Sequence, residues 1–168
     1  MTAIKALFSS TKRARPTRLV LFTLAGGLLI AVAACAPQEE VFNARLSPFP
    51  VIGANAGGLG EATAVLRGTT LEVTGSFEGL TFRVGRGGEV TGATAANARL
   101  YAGSVMAVVG EQFADLALTA EGEGDAGMIS GSVELTAEQV EMLRNGQIYA
   151  QVGSEDAPDG HLWGWFLQ

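Results

Sequence analysis

The chain has 168 residues, 48% of them hydrophobic, and a formal net charge of −6 at pH 7. One histidine and one cysteine leave too few nitrogen and sulfur ligands for a transition-metal centre, which needs three or four converging on one point, and they exclude an internal disulfide. The acidic balance repels nucleic acid and anionic lipid headgroups.

The front of the chain differs from the rest. "MTAIKALFSSTKRARPTR" carries Lys5, Lys12, Arg13, Arg15 and Arg18 and no acid, and residues 19–34, "LVLFTLAGGLLIAVAA", are uncharged and apolar. A basic region, a short apolar run and small residues ahead of a cleavage point describe a secretory signal. The run falls short of the roughly 20 residues a spanning helix needs, and Gly26-Gly27 weakens it further, so an uncleaved anchor is the lesser reading. "Val32-Ala33-Ala34-Cys35" resembles the bacterial lipobox, in which small residues precede a cysteine that becomes the lipidated first residue of the mature protein. Val32 stands where leucine is commoner. Cys35 is therefore the expected lipid attachment site.

The expected organisation is a signal peptide at 1–34, the lipidated cysteine and a short tether at 35–40, and one β domain at 41–168. Beyond Ala34 only six arginines face all seventeen acids, a net charge of −11. Acyl chains, not basic residues, must then hold the domain on the membrane. The tether "APQEE" reaches at most ~20 Å from Cys35 to Val41, which keeps the domain close to the bilayer. Ala36 follows the cysteine, where the usual inner-membrane retention signal is aspartate. In a cell with two membranes the outer one is the expected location.

The domain reads as short strands. "VFNARL" (41–46), "EATAVL" (61–66), "TLEVTGSF" (70–77), "TFRV" (81–84), "ARLYA" (98–102), "VMAVV" (105–109), "DLALTA" (115–120) and "MISGSVEL" (128–135) are punctuated by Gly, Asn, Pro or Asp. In "TLEVTGSF", Leu71, Val73, Gly75 and Phe77 share one face and Thr70, Glu72, Thr74 and Ser76 the other, the pattern of a half-buried antiparallel strand. "Arg67-Gly68-Thr69" makes the turn into it. Many short strands at close spacing predict an antiparallel β-sandwich, Greek-key or immunoglobulin-like, or a flattened barrel.

One helix interrupts the strands. Thr136 and Gln139 in "TAEQ" form a capping box, each side chain satisfying a free backbone N–H. Residues 137–144 then run helical, with Val140 and either Leu143 or Met142 facing inward, and Asn145-Gly146 supplies the stop. The strand "QIYAQV", an acidic Pro-Asp-Gly turn and a last strand close the chain. That hairpin holds His161, Trp163 and Trp165. The tryptophans lie two apart and share a face, with Leu162, Gly164 and Phe166 on the other. Either at least one tryptophan fills the core, or Leu162 and Phe166 do and the pair is a candidate interaction surface. The first reading is favoured.

"SGSVELTAEQVEMLRNGQIYAQVGSEDAPDGHLWGWF" resembles the C-terminal half of the CHRD (chordin-type) domain. That family runs from a strand into "LT…Q…L..G", then a "YVNVHT"-like strand, a "P.GE" turn and an "IRGQL"-like strand. Leu135-Thr136, Gln139, Leu143, Gly146, Tyr149, Val152, Pro158, Gly160 and Gly164 match in order. More loosely, Pro48, Pro50, Gly60, Leu71, Phe77 and Leu80 match the family's opening, so the resemblance covers 42–168 and is strongest over the last forty residues. It implies a β-sandwich module without an agreed catalytic activity. Family members commonly carry a His-x-His in the central strand and a further histidine in the "VNVHT" strand. Here "NARLY" (97–101) stands in the first place and Gly153 in the second. His161 falls after the turn, where the family usually has glutamate, and reads as a turn-edge residue whose replacement by alanine changes little.

Other chemistry is set aside on the residues. There is no Gly-x-Ser-x-Gly elbow, no P-loop and no His-Glu-x-x-His. "EGEGDAG" (121–127) spaces Glu121, Glu123 and Asp125 loosely like a calcium loop, yet Ala126 stands where an EF-hand requires glycine and Ser132 where it requires the bidentate glutamate. A solvated hairpin tip, with at most a weak calcium contact, is the better reading. "VGRGGEV" (84–90) lacks the helix a phosphate cradle needs. No catalytic residue, metal site or cofactor is assigned. The expected function is a membrane-anchored envelope lipoprotein with a non-catalytic binding or interaction domain. The alternative is a metal-dependent or hydrolytic envelope enzyme with an unrecognised site.

Overall fold

The computed structural model describes residues 38–48, 56–83, 89–103 and 109–168. The signal at 1–34, Cys35, Pro50 and the expected strand at 105–109 lie outside them, except Val109, which is not in a strand. The elements are β1 (Glu39–Pro48), β2 (Ala56–Arg67), β3 (Thr70–Arg83), β4 (Val90–Gly92), β5 (Ala95–Ala102), β6 (Glu111–Glu121), β7 (Ala126–Glu134), α1 (Ala137–Arg144), β8 (Ile148–Ser154) and β9 (Leu162–Trp165).

The strands close on themselves. The order is β2-β1-β9-β8-β5-β6-β7-β3, and β3 returns to pair with β2. The result is an eight-stranded antiparallel barrel, with β4 added beside the far end of β3. Of the two expected architectures the sandwich is therefore replaced by the barrel. Alternation in a sequence tells which face of a strand is buried, not which edges pair. Here β6 makes one of the corners. Its first half pairs with β5 and its second half, from Ala117 on, with β7. Leu100 and Tyr101 oppose Ala114 and Gln112, so Phe113 is an extra residue, and such a bulge lets a strand bend between sheets.

Within the barrel, β8-β5-β6-β7 is a Greek key: three consecutive antiparallel strands and a fourth that returns beside the first. The return connection is α1. Its capping box is present as the sequence predicts, with the Gln139 N–H donating to Thr136 Oγ1 at 3.2 Å and the Thr136 N–H to Gln139 Oε1 at 2.9 Å. Gly146, at φ 67°, ends it. The Gly146 and Gln147 N–H groups donate back to Leu143 and Met142 carbonyls, the paired bonds of a Schellman stop. Val140 and Leu143 are buried and Met142 is half-buried.

The hairpin between β2 and β3 turns at Gly68-Thr69, with Gly68 at φ 67°. "TFRV" is not a separate strand, because Thr81–Arg83 continue β3. The expected strands leave a break between Phe77 and Thr81. Gly79 does take φ 66°, but there β3 carries one extra residue against Gly58, at φ 121°, and bends without ending.

The interior is filled. Phe42, Leu46, Leu66, Leu71, Phe77, Leu80, Leu100, Ile129, Ile148, Leu162 and Phe166 alternate with alanines such as Ala44, Ala62, Ala64 and Ala150, all buried, as a small barrel requires. Leu162 and Phe166 are 0% exposed and belong to this core. At the α1 end, Arg144 makes bidentate contact with Glu40 at 2.6 and 3.0 Å and also reaches Glu141. The Arg144 hydrogen bonds hold the Glu40 carboxyl below the usual carboxylate range.

Candidate functional site

The outer face of β5, β8 and β9 carries both tyrosines and both tryptophans. Register puts Tyr101 opposite Tyr149 and Tyr149 opposite Trp165, with Arg99, Gln151 and Trp163 forming the next row. The rings stack because side chains two apart on one face, and opposite across a ladder, are neighbours. Tyr149 is the centre. Its ring lies parallel to Tyr101 and Trp163, each 5.2 Å away, and 4.9 Å from Trp165 at a 35° tilt. Offset stacks of this kind each add about 0.5–1.5 kcal/mol beyond their buried area. The Gly110 N–H donates to the Tyr149 hydroxyl at 2.9 Å, and burial of the phenol pushes its pKa up.

The favoured reading, with at least one tryptophan in the core, is corrected: neither enters the barrel core. Trp163 is 2% exposed but buried in this separate outer stack, and Trp165 is half-buried at its rim. Of the pair, Trp165 is the one that reaches a surface cavity.

Next to the stack the outer face turns polar. Asn97 lies opposite Gly153, so the register brings together two of the places where the resemblance implies histidines. The turn after β8 folds over them. Asn97 Nδ2 donates to the Pro158 carbonyl at 3.3 Å and Gln151 Nε2 to the Asp159 carbonyl at 2.7 Å. A Cβ at Gly153 would stand 2.7 Å from both amide atoms of Asn97 and from the Pro158 oxygen. The space an imidazole would occupy is taken by packing. Among the described residues, no three histidine, cysteine, aspartate or glutamate side chains are placed to hold one metal ion. Glu121, Glu123 and Asp125 sit on the β6–β7 turn without converging, the first two exposed.

His161 departs from expectation. It is not a turn-edge residue: its side chain is 1% exposed and bridges two strands. Nε2 lies 2.8 Å from the Gly57 carbonyl and Nδ1 2.8 Å from Ser154 Oγ. A carbonyl only accepts, so Nε2 carries the proton, and Nδ1 accepts from the serine hydroxyl. Ser154 Oγ also accepts from the Ala157 N–H at 3.1 Å. The reason for burial lies in the strand register: β8 ends with its inward Ser154 facing the barrel end, and His161 starts the return. Ser154 is 0% exposed, so its hydroxyl is closed to solvent in this structure.

A groove of about 920 Å³ lies on the opposite outer face, across β1, β2, β3 and β7, with Trp165 and Leu167 at one side. Its volume falls in the usual range for ligand sites. Leu59, Met128 and Leu167 line it and are 53%, 55% and 52% exposed. The sequence reading missed this groove. Its trace is an apolar side chain in the polar phase of a strand: Met128 shares the outer face of β7 with Ser130 and Ser132.

The family model for the CHRD domain matches residues 33–165. The chain belongs to the CHRD domain family. The match spans every strand of the barrel, so the CHRD domain here is the barrel itself, with the aromatic stack and the groove on its outside. Comparison with curated proteins and with solved structures gives no match.

Proposed function

We propose that this CHRD protein is a lipoprotein of the bacterial envelope, anchored through Cys35, whose barrel is a non-catalytic binding module. The observation that carries the binding reading is the open groove beside Trp165, set on a barrel whose interior is filled. A packed core leaves the outer surface as the place where a partner is met. The anchor reading is supported by the basic region, the short apolar run and "Val32-Ala33-Ala34-Cys35". The outer membrane is the proposed location in a cell with two membranes, since Ala36 is not the retention residue.

The anchor is tested by fatty-acid labelling and detergent partition. The wild type takes up label and enters the detergent phase, and Cys35→Ser does neither. Labelling that persists in Cys35→Ser overturns the anchor.

A further inference from the structure

The groove carries a pattern of charge that names its partner. Register places Arg45 opposite Glu61, Glu61 opposite Ser76 and Ser76 opposite Met128. Ser47 pairs with Trp163 and Asn43 with Leu167, which sets Trp165 opposite Arg45. One row of side chains thus crosses five strands, from an aromatic at one end to a methionine at the other. At about 4.8 Å per strand the row is ~19 Å long, room for about six residues of extended chain.

Carboxylates line the middle of that row and its flank. Glu61, Glu78 and Glu121 border the groove against a single cation, Arg45. Among the described residues outside the groove, Arg67 pairs with Glu39 and Glu72, Arg144 with Glu40 and Glu141, and Arg99 with Asp115, while Arg83 lies at the far end of β3 and does not line the groove. Glu61, Glu78 and Glu121 make no ion pair or side-chain hydrogen bond among the described residues. The groove is therefore an apolar trough in which three carboxylates outnumber one guanidinium between the apolar ends. A second copy of this acidic chain is repelled from it, and so are anionic headgroups.

We infer that the groove binds an extended basic segment of another envelope protein, with lysine or arginine side chains against Glu61 and Glu78 and apolar side chains against Trp165, Met128 and Leu59. Complementary charge aligns the segment and speeds its encounter, while the apolar contacts supply most of the affinity. This inference rests on the binding-module reading and adds the partner's chemistry.

The test uses full-length protein in a neutral detergent, titrated calorimetrically with a capped hexapeptide alternating lysine and leucine. A glutamate–leucine analogue and a soluble uncharged glycan fragment are run beside it. The expected result is saturable binding of the basic peptide alone, weakening as salt rises. Glu61→Gln with Glu78→Gln reduces affinity ~3- to 10-fold, as does Met128→Ser, while Glu138→Gln on α1 leaves it unchanged. All four positions are exposed, so the fold survives the changes. No binding of the basic peptide, equal binding of the acidic one, indifference to the Glu61/Glu78 pair, or displacement by the glycan overturns the inference. None of these outcomes touches Cys35 labelling, so failure here is separate from failure of the anchor.

Discussion

Replacing His161 by alanine tests the buried bridge most directly. The imidazole makes two hydrogen bonds of 2.8 Å, to Gly57 O and Ser154 Oγ, in a site 1% exposed. Each bond contributes about 1 kcal/mol net, and an orphaned buried partner costs about 1–3 kcal/mol. Water entering the space left by the ring offsets part of that cost. The balance is about 3 kcal/mol of lost stability. With a urea slope near 2 kcal/mol per molar, the midpoint falls by about 1.5 M. The assay is urea unfolding of a soluble form beginning at Ala36, followed by tryptophan fluorescence. Ser154→Ala and the double variant complete a cycle, and a direct contact gives a coupling of ~1 kcal/mol or more. A His161→Ala loss under about 0.5 kcal/mol, the range of ordinary surface changes, would refute the bridge, and so would strict additivity with Ser154→Ala.

Thr136→Ala removes the cap hydroxyl that accepts from the Gln139 N–H and lowers stability by about 1 kcal/mol in the same urea assay. Leu143→Ala empties a 0% exposed site between α1 and the barrel end and costs more, ~2–5 kcal/mol. Tyr149 ionises above the ordinary tyrosine range, because burial disfavours the phenolate. Its contribution to stability is complete below the unfolded value near 10 and is lost as pH rises through the higher folded value. Ultraviolet titration, with Tyr149→Phe to assign the step, shows one tyrosine that titrates late.

Local structure was legible where one short segment decides it. "TAEQ" and Asn145-Gly146 bound α1 correctly because a capping box and a glycine stop are chemistry within ten residues. Gly68 marked its hairpin for the same reason. Closure was not legible, because it depends on β3 meeting β2 on one edge and β7 on the other. His161 was misread for a similar cause. Its partners lie 7 and 104 residues away, and the acidic turn around it gave no sign that the imidazole points back into the barrel end. The tryptophans' shared face was right, and Leu162 and Phe166 did take the core. That a β strand could also be buried on its outward face was beyond a two-face pattern.

Strand β8 explains why the two outer faces differ in what they can do. All seven of its residues are buried, the inward ones by the core and the outward ones by the aromatic stack and the turn at 155–160. The stack spends Tyr101, Tyr149 and Trp163 on holding β5, β8 and β9 together, and the carbonyls of Pro158 and Asp159 are taken by Asn97 and Gln151. A ligand arriving there would have to lift a laced turn before touching an outward side chain of β8. On β1, β2, β3 and β7 the outward residues are mostly polar or charged, and nothing among the described residues folds over the apolar exceptions Leu59 and Met128. Trp165 sits where the faces meet, one flank against Tyr149 and the other at the groove. Its ring is held by the stack before any partner arrives, so little side-chain entropy remains to be lost on binding. Substituting Trp165 would therefore disturb both packing and recognition, whereas Glu61 and Met128 report on recognition alone.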